Sequence, residues 1–319
     1  MKKTISLIFI LIIVLLSMSS CADTIEKSDE PSIVCTAFPQ YDFVKNIIGS
    51  DEGITLLLDD GADLHSYEPT AQDIIKIGNA DLFIYGGGTS DKWVEGALKS
   101  ANNPSLKTVA IMDLVNTLKE EYVAGMQQEN HEHEHHSAHS GSHDEEDEHI
   151  WLSLKNASKI TEALCESICE IDPQGSASYR ANAQNYISRL NELDGEYSAV
   201  IEASERKLLL FADRFPFRYL TDDYGLTYYA AFAGCSSESE ATFETMAFLI
   251  EKTKELKLPT VLIIDDSDGS LAKTVCDATG AEIASLDSCQ SVSSVDISNG
   301  ANYIDIMKKN LEVIKEALN

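Results

Sequence analysis

The chain has 319 residues, with 53 Asp and Glu against 24 Lys and Arg and a formal net charge of −29. A surface this acidic repels phosphate and excludes nucleic acid as a partner, while it draws cations. The roughly 290 residues beyond the N-terminal region are enough for two domains of ordinary size.

Lys2 and Lys3 precede a largely apolar run at residues 5–16, which is too short to span a bilayer comfortably. It ends in Met18-Ser19-Ser20-Cys21, a sequence similar to a bacterial lipobox, although Met18 stands where Leu is usual. The expectation is a lipoprotein signal peptide over 1–20, lipidation of Cys21 and a polar tether over 21–31. A secretion signal cleaved without lipidation is the alternative. The remaining cysteines then lie outside the reducing cytosol. Cys35 in a predicted strand, Cys165 and Cys169 one helical turn apart, and Cys276 in a predicted helix read as small buried apolar residues. Cys235 and Cys289 fall in loops, and a disulfide between them is one pairing the sequence allows.

From Ser32 onward, strand and helix alternate. SIVCTA (32–37) predicts a strand, QYDFVKNIIG a helix ended by Gly49, and GITLLL (53–58) a second strand. After the turn DDGADLHSYEP, Thr70 followed three residues on by Asp73 marks a helix start. Strands at 81–85 and 107–112 flank a helix at 91–100. This rhythm predicts a parallel sheet with right-handed crossovers. Gly86-Gly87-Gly88 lacks both the GxGxxG and the Gly-Lys-Ser/Thr pattern, so a tight turn is expected rather than a phosphate cradle.

Seven of the eight histidines fall between His131 and His149, and no Lys or Arg occurs between Lys119 and Lys155. Imidazole and carboxylate are neutral-pH ligands for divalent transition metals, so His131, His133, His135, His136, His139 and His143 form a candidate metal-gathering loop over 129–148. Beyond it a helix at 153–170 is broken by Asp172-Pro173. Tyr179, Ala183, Tyr186, Leu190, Leu193, Tyr197 and Val200 then mark one face of a helix over 176–202. That helix would span about 40 Å, more than one small domain needs, and reads as a strut. The second half repeats the alternation, with strands at 207–211, 226–230, 260–264 and 282–286 and a closing helix at 304–318. The fold class is therefore α/β, with two lobes, each a parallel four-stranded sheet flanked by helices, joined by one long rigid helix. The expected boundaries are 32–171 for the first lobe, 172–205 for the connecting helix and 206–319 for the second lobe.

Open parallel sheets bind ligands beyond the carboxyl ends of their strands. His65 follows the second strand and His149 the long connection after the fourth; Asp213 lies two residues past the fifth strand and Asp265 ends the seventh. Two imidazoles and two carboxylates make a closed site for a divalent metal, with Asp266 and Asp268 as neighbouring competitors for Asp265. DDSDGS lacks the ligand register of an EF-hand.

The segments FPQYDFVKNIIG, GADLHSYEPTAQD, ADLFIYGGGTSDKW and DEHIWLSLKNASKI are similar to those of the metal-binding solute-binding lipoproteins of bacterial zinc and manganese ABC transporters. Glu148 departs from the family's Asp-Pro-His-x-Trp-Leu pattern by standing in the Pro position. The resemblance runs the length of the mature chain. It implies two lobes with the metal between them, and His65, His149 and an acid at Asp265 as ligands. In FADRFPFRYL, Arg214 falls where zinc-type members carry a third histidine, and arginine cannot ligate a metal. Asp213 is the substitute the sequence offers, unless it only pairs with Arg214. The resemblance also implies permease and ATPase partners, a monomeric carrier, and a location outside the cytoplasm on a lipid anchor. Zn(II) is the expected cargo, with Mn(II) as the alternative. The competing classes are a surface adhesin mediating cell adhesion and a metallohydrolase, the latter without an HExxH motif.

Overall fold

The computed structural model describes residues 31–58, 63–127, 145–236, 240–290 and 292–319. The signal peptide, Cys21, most of the tether and the histidines from His131 to His143 lie outside the described residues. Among those described, no helix is long and apolar enough to cross a membrane.

In the first half, strands β1 (Ile33–Cys35), β2 (Ile54–Leu56), β3 (Leu82–Tyr85) and β4 (Lys107–Ala110) form a parallel sheet in the order β2-β1-β3-β4. The second half repeats this plan with β5 (Leu208–Phe215), β6 (Thr227–Ala233), β7 (Thr260–Ile264) and β8 (Glu282–Leu286), in the order β6-β5-β7-β8. In both sheets the chain folds first to one side of the opening strand and then to the other. Each sheet therefore has a switch point, β1/β3 and β5/β7, beyond which a ligand crevice opens.

Crossover helices cover the sheets where the sequence signals place them. Helix α1 (Phe38–Ile48) begins where the Gln40 side chain accepts from Thr36 and Ala37 N–H groups at 2.9 and 3.1 Å. Helix α2 (Ala71–Asn79) starts on a reciprocal cap: Thr70 Oγ1 accepts from Asp73 N, and Asp73 Oδ2 accepts from Thr70 N. Helix α3 (Val94–Ala101) precedes β4, and α4 (Leu154–Ile171) runs up to the Asp172-Pro173 break. The predicted strut is α5 (Ser176–Ala203), 28 residues and about 42 Å long. Its buried face is Tyr179, Ala183, Tyr186, Leu190, Leu193, Tyr197 and Ile201, so the last contact falls on Ile201, where the reading from sequence placed Val200. The second half adds α6 (Arg218–Tyr224), α7 (Phe243–Leu256), α8 (Ser270–Thr279), the short α9 (Ser294–Ser298) and the closing α10 (Tyr303–Ala317).

One cluster of buried side chains runs without a break from Ile33, Phe43 and Leu82 through Trp151 and Tyr197 to Phe211, Leu262 and Tyr303. The two sheets thus share a core, and α5 packs on α1 and α4 from the first half and on α6 and α10 from the second. Three polar tips inside this core are paired, whereas the buried Tyr228 hydroxyl finds no hydrogen-bond partner among the described residues. Trp151 Nε1 donates to Ser288 O at 2.9 Å, Tyr197 OH to Met307 O at 2.6 Å, and Tyr303 OH to Trp151 O.

Asp42 on α1 is buried in the same region, accepting from Tyr186 OH at 2.8 Å and from Asn46 Nδ2 at 3.1 Å. Burial pushes its carboxyl up to about 6, against these hydrogen bonds. The native state therefore holds this proton more tightly than the unfolded chain does. The associated stability is complete below about pH 4 and is lost as pH rises through about 6. Asp42→Asn removes that dependence. Its stability relative to the native chain, measured by urea denaturation, should be more favourable at pH 7 than at pH 4 by up to about 3 kcal/mol. An equal effect at both pH values would assign Asp42 no such role.

Candidate metal centre

His65 is presented by a single 3₁₀ turn, Leu64–Ser66, capped by Asp63, whose Oδ1 accepts from His65 N at 2.8 Å. The imidazole is fixed from behind: its Nδ1 lies 2.9 Å from Ser90 Oγ and 3.9 Å from Glu148 Oε2. Burial, and next the adjacent His149, push the His65 pKa down to about 4. The ring is therefore neutral near pH 7, the state in which imidazole ligates metal.

His149 opens a second 3₁₀ turn, Ile150–Leu152, and is fully buried. Asp147 Oδ1 accepts from its backbone N–H at 2.8 Å and faces its Nδ1 at 3.0 Å. A carboxylate accepts only, so Nδ1 carries the proton and Nε2 presents a lone pair. Asp147 is itself held by its backbone: its N–H donates to Leu118 O at 2.8 Å, and its carbonyl accepts from Tyr219 OH at 2.7 Å.

The two imidazoles meet with Nε2 atoms 3.3 Å apart. Ligands at the usual zinc–nitrogen distance around a tetrahedral ion sit about 3.3 to 3.4 Å from one another. The pair thus already has the spacing that a shared zinc ion imposes. A third donor, Cys235 Sγ, completes a group whose atoms all lie within 4.8 Å of one another.

Among the sequence-predicted site residues, His65 and His149 are brought together as expected, whereas Asp213 and Asp265 stand outside this group. The strand β5 runs on to Phe215 with a register irregularity between Phe211 and Arg214, so Asp213 lies within it and not past its end. Asp213 Oδ1 accepts from Arg214 N at 2.8 Å and Oδ2 from Ile264 N at 3.4 Å. The Arg214 side chain pairs with Asp63, Nη1 to Oδ2 at 3.2 Å, and not with Asp213, so a guanidinium from the second half braces the turn that carries His65. Asp265 is half-buried, its carboxyl raised by burial, with Oδ1 accepting from Ser288 N at 2.6 Å. Both acids line cavities beside the histidines. Asp213, Asp63 and His65 border one of about 400 Å³, and Asp265, Asp63 and Arg214 border one of about 160 Å³.

Three features escaped the sequence reading. The Cys235–Cys289 disulfide does not form: both thiols are free, Cys289 lies within the core, and Cys235 faces the imidazoles. Glu148, the departure at the Pro position, is buried, and its Oε1 accepts from Ser90 N at 2.9 Å and Thr89 Oγ1 at 2.8 Å. Burial opposes its ionisation, but the Ser90 and Thr89 donors outweigh burial and hold the carboxyl below its ordinary value. Within the glycine run, Gly88 lies against this carboxylate, while Gly86 and Gly87 face Asp91 and Ala110. A Cβ on Gly88 would come within 2.2 Å of Glu148 Oε1, so only glycine leaves it room. The loop expected over 129–148 therefore ends in folded structure, with Asp147 and Glu148 belonging to the site.

The ZnuA family model, described as zinc-uptake complex component A periplasmic, matches residues 33–317. Zinc-binding lipoprotein AdcA of Streptococcus pneumoniae (strain ATCC BAA-255 / R6) is 30% identical over 302 residues, 94% of this chain and 58% of AdcA. The chain thus spans less than two thirds of that relative's length. High-affinity zinc uptake system protein ZnuA of Bacillus subtilis (strain 168) is 30% identical over 292 residues, 92% of this chain and 89% of ZnuA. The crystal structure of the Zn(II)-bound ZnuA-like domain of Streptococcus pneumoniae AdcA is similar with a TM-score of 0.73 at 27% identity, covering 91% of this chain and 99% of that domain. With the model matching nearly the whole described region, the chain belongs to the ZnuA family of zinc-uptake complex components.

Proposed function

We propose that this chain is the extracytoplasmic solute-binding component of an ABC importer, taking up Zn(II) between its two halves and delivering it to a membrane permease driven by an ATPase. The observation that carries the reading is the 3.3 Å approach of the His65 and His149 Nε2 atoms, each ring oriented from behind by a separate polar group. Zinc is preferred to manganese because the converging donors are imidazoles, which suit zinc better than the oxygen-seeking manganese ion. The names of the zinc-binding lipoprotein AdcA and the high-affinity zinc uptake system protein ZnuA support the same cargo. Membership in an uptake-complex family speaks for carriage, not turnover, and so against a metallohydrolase.

In this reading the lobes at 32–171 and 206–319 move little against each other, since they share one core and one connecting helix. Release then depends on the permease loosening the His65 turn, which is braced from the second half by Arg214. Lipidation at Cys21 would hold the carrier, as a monomer, beside that permease. The histidines from His131 to His143 would gather metal weakly, ahead of transfer to the buried pair.

Zinc affinity, measured by competition with a chromophoric chelator, should fall by at least about a hundredfold in His65→Ala and in His149→Ala. Asp147→Ala, which frees the His149 ring, should cost roughly 10- to 100-fold. Native affinity in His65→Ala would sink the assignment. Deleting residues 131–143 while retaining Asp147 and Glu148 should leave the tight dissociation constant within the same order of magnitude. Loss of tight binding on that deletion would place the principal site in the loop.

A further inference from the structure

We infer that Cys235 supplies the third protein ligand, its thiolate joining the imidazoles of His65 and His149 in a His2Cys triad that biases the site toward zinc and against manganese. The inference rests on the metal-carrier reading above and adds a donor, and a basis for selectivity, from the second half of the chain.

Several independent contacts aim this sulfur. Cys235 sits in the turn that follows β6, closed by Ser236 N donating to Ala233 O at 3.3 Å. Its own N–H donates to Glu120 Oε1 at 3.0 Å, tying the turn to the first half. Burial, and next the Asp147, Glu120 and Glu148 carboxylates, hold the Cys235 thiol protonated well above its ordinary range, opposed by the Glu148 backbone N–H that donates to Sγ. The proton therefore leaves only when a metal takes its place. The preceding residue must be small: a Cβ on Gly234 would lie 2.8 Å from Phe215 O and 3.1 Å from His149 Cε1. With no side chain there, the turn lies directly against the His149 ring, and the next residue reaches the imidazole pair.

The spacing suits a single ion. In a tetrahedral zinc site a thiolate sulfur and an imidazole nitrogen sit about 3.6 Å apart. The three donors of this triad already lie within 4.8 Å, so closing them on zinc takes a shift of about 1 Å. Both imidazoles come from the first half and the sulfur from the second, so an ion held by all three ties the two together. Ligation replaces the Cys235 thiol proton with the metal and passes that proton to solvent, with no redox change. Thiolate is a soft donor that suits zinc, whereas manganese favours carboxylate, carbonyl and water oxygens.

The test uses the full chain with Co(II) as a spectroscopic stand-in for zinc, beside zinc and manganese affinities. The native Co(II) complex should show a near-ultraviolet thiolate-to-cobalt charge-transfer band that is absent in Cys235→Ser. Zinc should protect Cys235 from iodoacetamide, read by peptide mass spectrometry on the native chain. Cys235→Ser should lose at least about tenfold in zinc affinity, the lower end of what removal of an outer partner costs, with a smaller change for manganese. If the native chain binds zinc through His65 but shows no thiolate band, or if Cys235→Ser keeps both band and affinity, the inference is overturned and the carrier reading survives. If the native chain binds no zinc, both fall. The cobalt spectrum and the alkylation need no variant, so a Cys235→Ser chain that fails to fold leaves two readouts to decide.

Discussion

The stretch from Asp147 to Leu154 is gripped on both sides, and much of the rest of the molecule is arranged to keep it there. Toward the core, Ile150, Trp151 and Leu152 are buried, and the Trp151 indole reaches the second half through its hydrogen bond to Ser288 O. Toward the cleft, Asp147, Glu148 and His149 form the polar wall of the candidate metal centre. Three consecutive buried polar residues would be costly if unpaired, because a buried group without a partner loses its hydration for nothing. Here each is paired, and the pairing fixes the orientation of both imidazoles. The segment thus couples packing to chemistry: moving the indole would move the histidine two residues before it.

The wall also explains why distant residues look as they do. Glu148 holds Thr89 and Ser90, Ser90 meets the His65 ring, and Gly88 stays bare to admit the carboxylate. Arg214 braces the His65 turn from the opposite half through Asp63, which caps the turn at the His65 backbone N–H. His65 is therefore held from two sides, by Ser90 at its ring and by Asp63 at its backbone. One side of the cleft is built on the buried His149 segment and the other on the short turn of His65.

Most of the fold was legible because it rests on local chemistry. The Thr70–Asp73 cap, the Asp172-Pro173 break and the three- and four-residue spacing along α5 are all written in neighbouring residues. His65 and His149 were legible for a different reason, since their motifs lie in segments that resemble a known family. Glu148 and Cys235 were not. Glu148 appeared only as a departure from a pattern, and its meaning depends on Ser90, 58 residues away. Cys235 carried a usable signal: it lies at the carboxyl edge of β6, the same criterion that picked out Asp213 and Asp265. Cysteines in loops of a chain expected outside the cytosol suggested a disulfide, and Cys289 was available as a partner, which obscured the Cys235 thiol as a candidate ligand. The run of β5 as far as Phe215 was hidden because Asp213-Arg214 breaks its apolar run.

The base of the histidine-rich segment is stitched shut. Lys119 and Glu146 form an antiparallel bridge, Glu120 N donates to Glu145 O at 3.0 Å, and Gln127 N donates to Ala231 O at 2.9 Å. Backbone hydrogen bonds of this kind do not depend on which side chains follow or how many there are. The span between Gln127 and Glu145 can therefore lengthen, shorten or change composition over evolutionary time without shifting the register of His149. If the histidines of that span gather cations as proposed above, their number and spacing are set independently of the geometry at His149.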